Sequence, residues 1–117
     1  MKEQIKIRTK TIGLEIIQLV ESMPVKLSSR IIAGQIVRCS TSVGANYRAA
    51  CRAKSTADMI NKLKIVEEET DETIYWLEIM EESGLVQSNQ LFSLKRELGE
   101  ILAIVVSSIK TLRIQKN

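Results

Sequence analysis

TSVGANYRAACRAKS, residues 41–55, decides the fold. It holds a glycine, an asparagine and a run of small residues, yet the sequence on either side has helical spacing. It also carries Arg48, Arg52 and Lys54 with no acid among them. At 100° per residue, with Arg30 at zero, Ile32, Ile36, Cys39, Val43, Tyr47 and Ala50 fall between about 180° and 260°. Arg30, Arg38, Arg48 and Arg52 fall between about 0° and 80°, nearly opposite. Ala33, Ser40, Gly44 and Cys51 line one flank of the apolar face, where small side chains let a neighbouring backbone come close. The stretch is therefore the second half of an amphipathic helix. Gly44 weakens that helix by about 1 kcal/mol unless tight packing offsets it or the helix bends there.

Outward from this helix, Pro24 and Ser83-Gly84 are breaks, and a third lies near Ser55-Thr56. They leave four helical stretches, with no alternating strand pattern and no internal repeat. The first spans roughly residues 4–23, with Ile5, Ile12, Ile16, Leu19, Val20 and Met23 inward, and Pro24 stops it. The second begins near Ser28 or Ser29, either a fair N-cap, and runs to about Arg52. The third starts at a Ser55 cap with Asp58 as a shortened capping-box acid. Its inner stripe is Met59, Leu63, Val66, Thr70, Thr73, Leu77 and Met80, and Gly84 is its C′ residue. The fourth starts near Ser88 or Asn89 and uses Leu91, Leu94, Leu98, Ile101, Val105 and Leu112. Short connections make successive helices antiparallel, so residues 1–117 are expected to form one all-α domain, an antiparallel up-down four-helix bundle. Trp76, Ile79, Ile104 and Val106 lie off the inner stripes; they either widen the globular face or, since a helix with two apolar sides usually packs against two neighbours, point to self-association.

The chain has no histidine, which excludes a His base, the usual triad and a His metal ligand. No Gly-rich phosphate loop or GxSxG is present, and no Glu-x-x-His pair suits a di-iron bundle. No enzyme activity, cofactor or metal is expected. Cys39 and Cys51 lie about 18 Å apart along one helix, beyond disulfide reach. The longest apolar run, residues 101–106, is too short to span a bilayer. MKEQIKIRTK lacks the apolar segment of a signal peptide. The expectation is a cytoplasmic protein with no membrane partner.

A net charge of +3 hides segregation: residues 23–64 hold eight bases and one acid, Asp58, whereas residues 67–82 hold eight acids and no base. A merely solvated face mixes signs, because unlike pairs at i,i+4 support a helix and like pairs oppose it. Arginine also suits planar, bidentate contact with phosphate or carboxylate. Arg30, Arg38, Arg48 and Arg52, extended by Lys54 and Lys62, are thus candidates for contact with a polyanion such as RNA. The alternative is a protein-interaction scaffold in which Glu67, Glu68, Glu69, Asp71 and Glu72 satisfy the stripe and no nucleic acid binds. Asn46, near 160° at the edge of the core face, is expected to bond a neighbouring helix through an acid such as Glu69 or Glu72.

Arg38, the opening stretch, ADMINKL (residues 57–63) and IVEEETDETIYWLE (residues 65–78) together resemble the bacterial four-helix-bundle proteins of 23S rRNA intervening sequences, also labelled S23 ribosomal protein. RTKTIGL (residues 8–14) and Pro24 fit as well. Ile12 departs where an aromatic is common, and Cys39-Ser40 replaces Ser-Gly. A related branch is the accessory variability protein of diversity-generating retroelements, similar in being a basic homopentameric barrel that binds RNA and a reverse transcriptase. The resemblance implies a closed ring, most simply a pentamer, with RNA and a protein such as a reverse transcriptase as partners.

Overall fold

The computed structural model of the chain describes residues 2–116. Four helices, α1 (Lys2–Glu21), α2 (Leu27–Cys51), α3 (Thr56–Glu82) and α4 (Ser88–Lys116), follow one another up and down. They form a rod 49 × 21 × 20 Å. The expected all-α four-helix bundle is the observed one. Each helix packs on its sequence neighbours, and α4 closes on α1 through the thinnest seam; α1 and α3 sit diagonally.

The core face of α2 is the one the wheel gives: Ile32, Ile36, Cys39, Val43, Tyr47 and Ala50 are all buried. Opposite them stand Leu63, Val66, Leu77 and Met80 of α3 and Leu91, Leu94, Leu98, Ile101 and Val105 of α4. Thr70 and Thr73 are fully buried and harmless there, because their hydroxyls donate back to the Val66 and Glu69 carbonyls at 2.6 and 2.8 Å. Thr9 does the same to Ile5, at 2.8 Å.

Several expectations need correction. Ile60, not Met59, begins the buried stripe of α3, and Ile109, not Leu112, ends that of α4. Met59 and Leu112 are half-buried and packed on the edge of the core. Neither Ser28 nor Ser29 is the N-cap of α2. Lys26 is, and Ser29 serves from the third helical position: its Oγ accepts the Lys26 N–H at 2.8 Å and donates to the Pro24 carbonyl at 2.6 Å. The start of α4 at Ser88 is the expected one, and the Gln87 N–H just before it is accepted by Gln90 Oε1 at 3.0 Å. Trp76, Ile79 and Ile104 follow the other alternative and widen the globular face. They are half-buried and packed on the core.

Other ends match. Ser55 Oγ accepts the Asp58 N–H at 3.1 Å, and Asp58 in turn accepts the Lys54 N–H at 3.1 Å. Gly84 has φ of 79°. Around it the Leu85 N–H reaches the Met80 carbonyl and the Gly84 N–H the Glu81 carbonyl, at 3.0 and 3.1 Å, which is the Schellman pattern.

Candidate basic interface on the second helix

Small residues set the geometry of the α1–α2 seam. A Cβ on Gly44 would sit 3.3 Å from the backbone of Thr9 and Lys10, and one on Gly13 would sit 3.3 Å from Thr41. This contact is the packing that offsets the helix-weakening glycine of the opening stretch. The seam is so close that the side chains flanking it are pushed outward. They leave a groove of about 350 Å³ along its outer side, lined among others by Ile7, Lys10, Leu14, Ile17, Ala45 and Arg48.

On the other edge, α2 meets α3 through polar groups. Arg38 Nη1 donates to Glu69 Oε2 at 3.3 Å, and Nη2 donates to Glu72. The Trp76 indole donates to the same Glu72 carboxylate at 3.0 Å. The indole and the guanidinium together hold the Glu72 carboxyl below its ordinary range, and the pairing raises that of Arg38. Beneath them the Thr73 hydroxyl lies 3.2 Å from Cys39 Sγ, and burial pushes this thiol up. Burial, with Cys51 beside it, pushes Tyr47 up to about 12. Both cysteines are free, Cys39 buried and Cys51 half-buried.

The structure therefore divides the sequence-predicted cations. Arg38 is satisfied by α3. Lys62 pairs within α3, its Nζ 3.1 Å from Asp58. Among the described residues Arg30, Arg48, Arg52 and Lys54 form no ion pair. Arg48, Arg52 and Lys54 gather at the C-terminal end of α2, whose dipole favours cations. Arg30 is about 27 Å away, eighteen residues along the helix. Asn46 does not bond a neighbouring helix. Its Nδ2 donates to the Ser42 carbonyl and hydroxyl at 3.0 and 2.8 Å, one turn back on α2. Glu69 and Glu72, named as its partners, belong to Arg38 instead, because Asn46 lies two turns beyond them along the seam.

Two features escaped the sequence reading. Arg8 of α1 forks onto Glu97, at 2.8 and 2.7 Å, and reaches Glu100 at 2.9 Å, clamping the thin α1–α4 seam. Glu97 is held below the usual carboxylate range by that fork. Nothing in helical periodicity links residues so far apart in sequence. The second is the outer stripe of α1, Ile7, Leu14 and Ile17 with Lys10 between them, which the i, i+7, i+10 spacing would have revealed. Among the described residues, no helix is long and apolar enough to cross a membrane, and no cluster of three or more His, Cys, Asp or Glu is placed to hold a metal.

The family model described as 23S rRNA-intervening sequence protein matches residues 2–107. A crystal structure of a protein of unknown function from the S23 ribosomal protein family of Bacteroides thetaiotaomicron VPI-5482 is similar to this chain at 34% identity. It superposes with a TM-score of 0.84, over 94% of this chain and 99% of that one. No curated protein matches the chain.

Proposed function

The chain belongs to the 23S rRNA-intervening sequence protein family, and from that premise we propose that it is a non-catalytic, RNA-binding accessory protein that acts as a homo-oligomer in the cytoplasm. The observation that carries the reading is the cluster of Arg48, Arg52 and Lys54, which meets no carboxylate among the described residues although α3 is rich in them. Exposed arginine forks fit phosphate oxygens bidentately, and such contacts position a nucleic acid without reading its sequence. Repeating the cluster around a symmetric assembly multiplies the phosphate contacts of one subunit.

The test is affinity for RNA across a salt series, with the wild type and an Arg52→Gln/Lys54→Gln double variant. Each lost phosphate contact flattens the slope of log affinity against log salt by roughly 0.7–0.9. The double variant should lose about two contacts' worth on unrelated RNA sequences alike, with its melting temperature unchanged. An unchanged slope with a lowered melting temperature overturns the reading. The Arg38 pairing with Glu69 and Glu72 favours a second reading for that one residue, a scaffold whose charges are satisfied by α3 and which binds no nucleic acid.

A further inference from the structure

The α1–α2 groove is built like a seat for another helix. Its floor is the close seam of small residues, Gly13, Thr41, Gly44 and Ala45, and its wall is the aliphatic stripe Ile7, Leu14 and Ile17, which is 65%, 53% and 38% exposed. Side chains at i, i+7 and i+10 form one line along a helix, the arrangement that anchors a partner helix in a groove. The rim carries Lys10 and Arg48, neither ion-paired among the described residues. The groove holds no aromatic ring and so offers unpaired bases no stacking platform. Its chemistry asks instead for an apolar helix face edged with carboxylates.

The same chain offers an acidic helix face built around one exposed aromatic ring. Glu68, Asp71, Tyr75, Glu78 and Glu82 of α3 are all exposed and lie within an arc of about 80°. Tyr75, 52% exposed, sits near the middle of that arc, steadied by an edge-to-face contact with Trp76 at 5.2 Å. None of the four acids is ion-paired among the described residues. Because α3 stands diagonally from α1, this face turns away from the groove of its own subunit. The two surfaces cannot meet within one copy. Each would also repel its own twin, so a two-fold contact of like surfaces is disfavoured.

We propose that the acidic face of α3 in one copy docks in the α1–α2 groove of the next, with Tyr75 against Ile7, Leu14 and Ile17 and the acids against Lys10 and Arg48. This rests on the self-association half of the proposed function and names the surfaces that make it. The contact is head-to-tail, so it closes into a ring or runs on as a filament. Tyr75 supplies the apolar burial on the α3 side, and the charges strengthen the contact, fix its register and exclude the like-on-like pairing. In the assembly Arg48 leaves the phosphate cluster for this contact, and Arg52 and Lys54, outside the groove, stay available for phosphate.

Light scattering at micromolar concentration tests it on four proteins: wild type, Lys10→Glu/Arg48→Glu, Asp71→Lys/Glu78→Lys, and the chain carrying all four changes. All are checked for helicity and melting temperature. The expected masses are an oligomer for the wild type, single subunits for the two charge-reversed variants, and an oligomer again for the combined chain, whose faces are complementary once more. A wild type that is a single subunit overturns both the inference and the self-association reading. Reversed variants that remain oligomeric overturn the inference alone. Folded reversed variants whose combination fails to reassemble also overturn it.

Discussion

The two long edges of α2 carry the same kind of residue and end differently. On the α3 edge a cation, Arg38, faces two carboxylates and is tied down. On the α1 edge the facing helix offers Lys6 and Lys10, so Arg48 finds no acid there. The α3 edge is polar at its surface and needs side chains to span it. The α1 edge is closed by backbone against backbone at Gly44 and leaves its side chains outside. What a helix residue does here is decided by the helix across from it, and α2 separates the two roles within four turns.

The largest expected effect breaks the α1 edge. Gly44→Ala places a methyl 3.3 Å from the Thr9 and Lys10 backbone, and overpacking of this kind costs about 1–3 kcal/mol, more than the ~1 kcal/mol that alanine gains in helix propensity. The matched change Gly34→Ala meets nothing within 4 Å and should stabilise by about 0.5–1 kcal/mol. Urea denaturation of both variants gives the signs. Equal shifts in the same direction would contradict the close-packed seam.

The next effect sharpens the polar seams. The folded-state carboxyls of Glu72 and Glu97 titrate below the ordinary glutamate value of 4.5. A depressed folded value means stability that is complete above about pH 4.5 and is lost as the pH falls through the depressed values. The melting temperature should therefore hold from pH 7 to pH 5 and drop below that. Arg8→Gln should lower the stability at neutral pH by about 1 kcal/mol, in the range of a partly exposed ion pair, and flatten the acid limb. An acid limb as steep as the wild type's would remove Glu97 from the account.

The smallest effect concerns Asn46. Its bonds stay within α2, so Asn46→Ala loses about 0.5–1.5 kcal/mol of hydrogen bonding and regains roughly 0.7 kcal/mol of helix propensity. A change within about 1 kcal/mol in urea is expected. A larger loss would mean that Asn46 holds a second helix after all.

Much of this fold is legible in the sequence because its signals are local. The opposed arcs of α2, the Ser55 cap and the Gly84 C′ turn each depend on residues within a turn or two. The Ser29 role was missed because a serine can cap from the third position as well as the first. The Arg8–Glu97–Glu100 clamp was missed because tertiary pairing leaves no trace in periodicity. The stripe of unpaired cations was legible as charge without acids, but its division was not. Whether Arg38 or Arg52 is free depends on which α3 residues lie opposite, and only the register of two packed helices fixes that.

Along α2 a structural arginine, Arg38, is separated from Arg52, which is left free for phosphate. The most direct measurement is the salt dependence of RNA affinity for Arg38→Gln beside Arg52→Gln, with melting temperatures for both. Arg52→Gln should flatten the slope by roughly 0.7–0.9, one contact's worth, with the melting temperature unchanged, while Arg38→Gln should leave the slope alone and lower the melting temperature. The reverse pattern, or equal slopes in both variants, would contradict it.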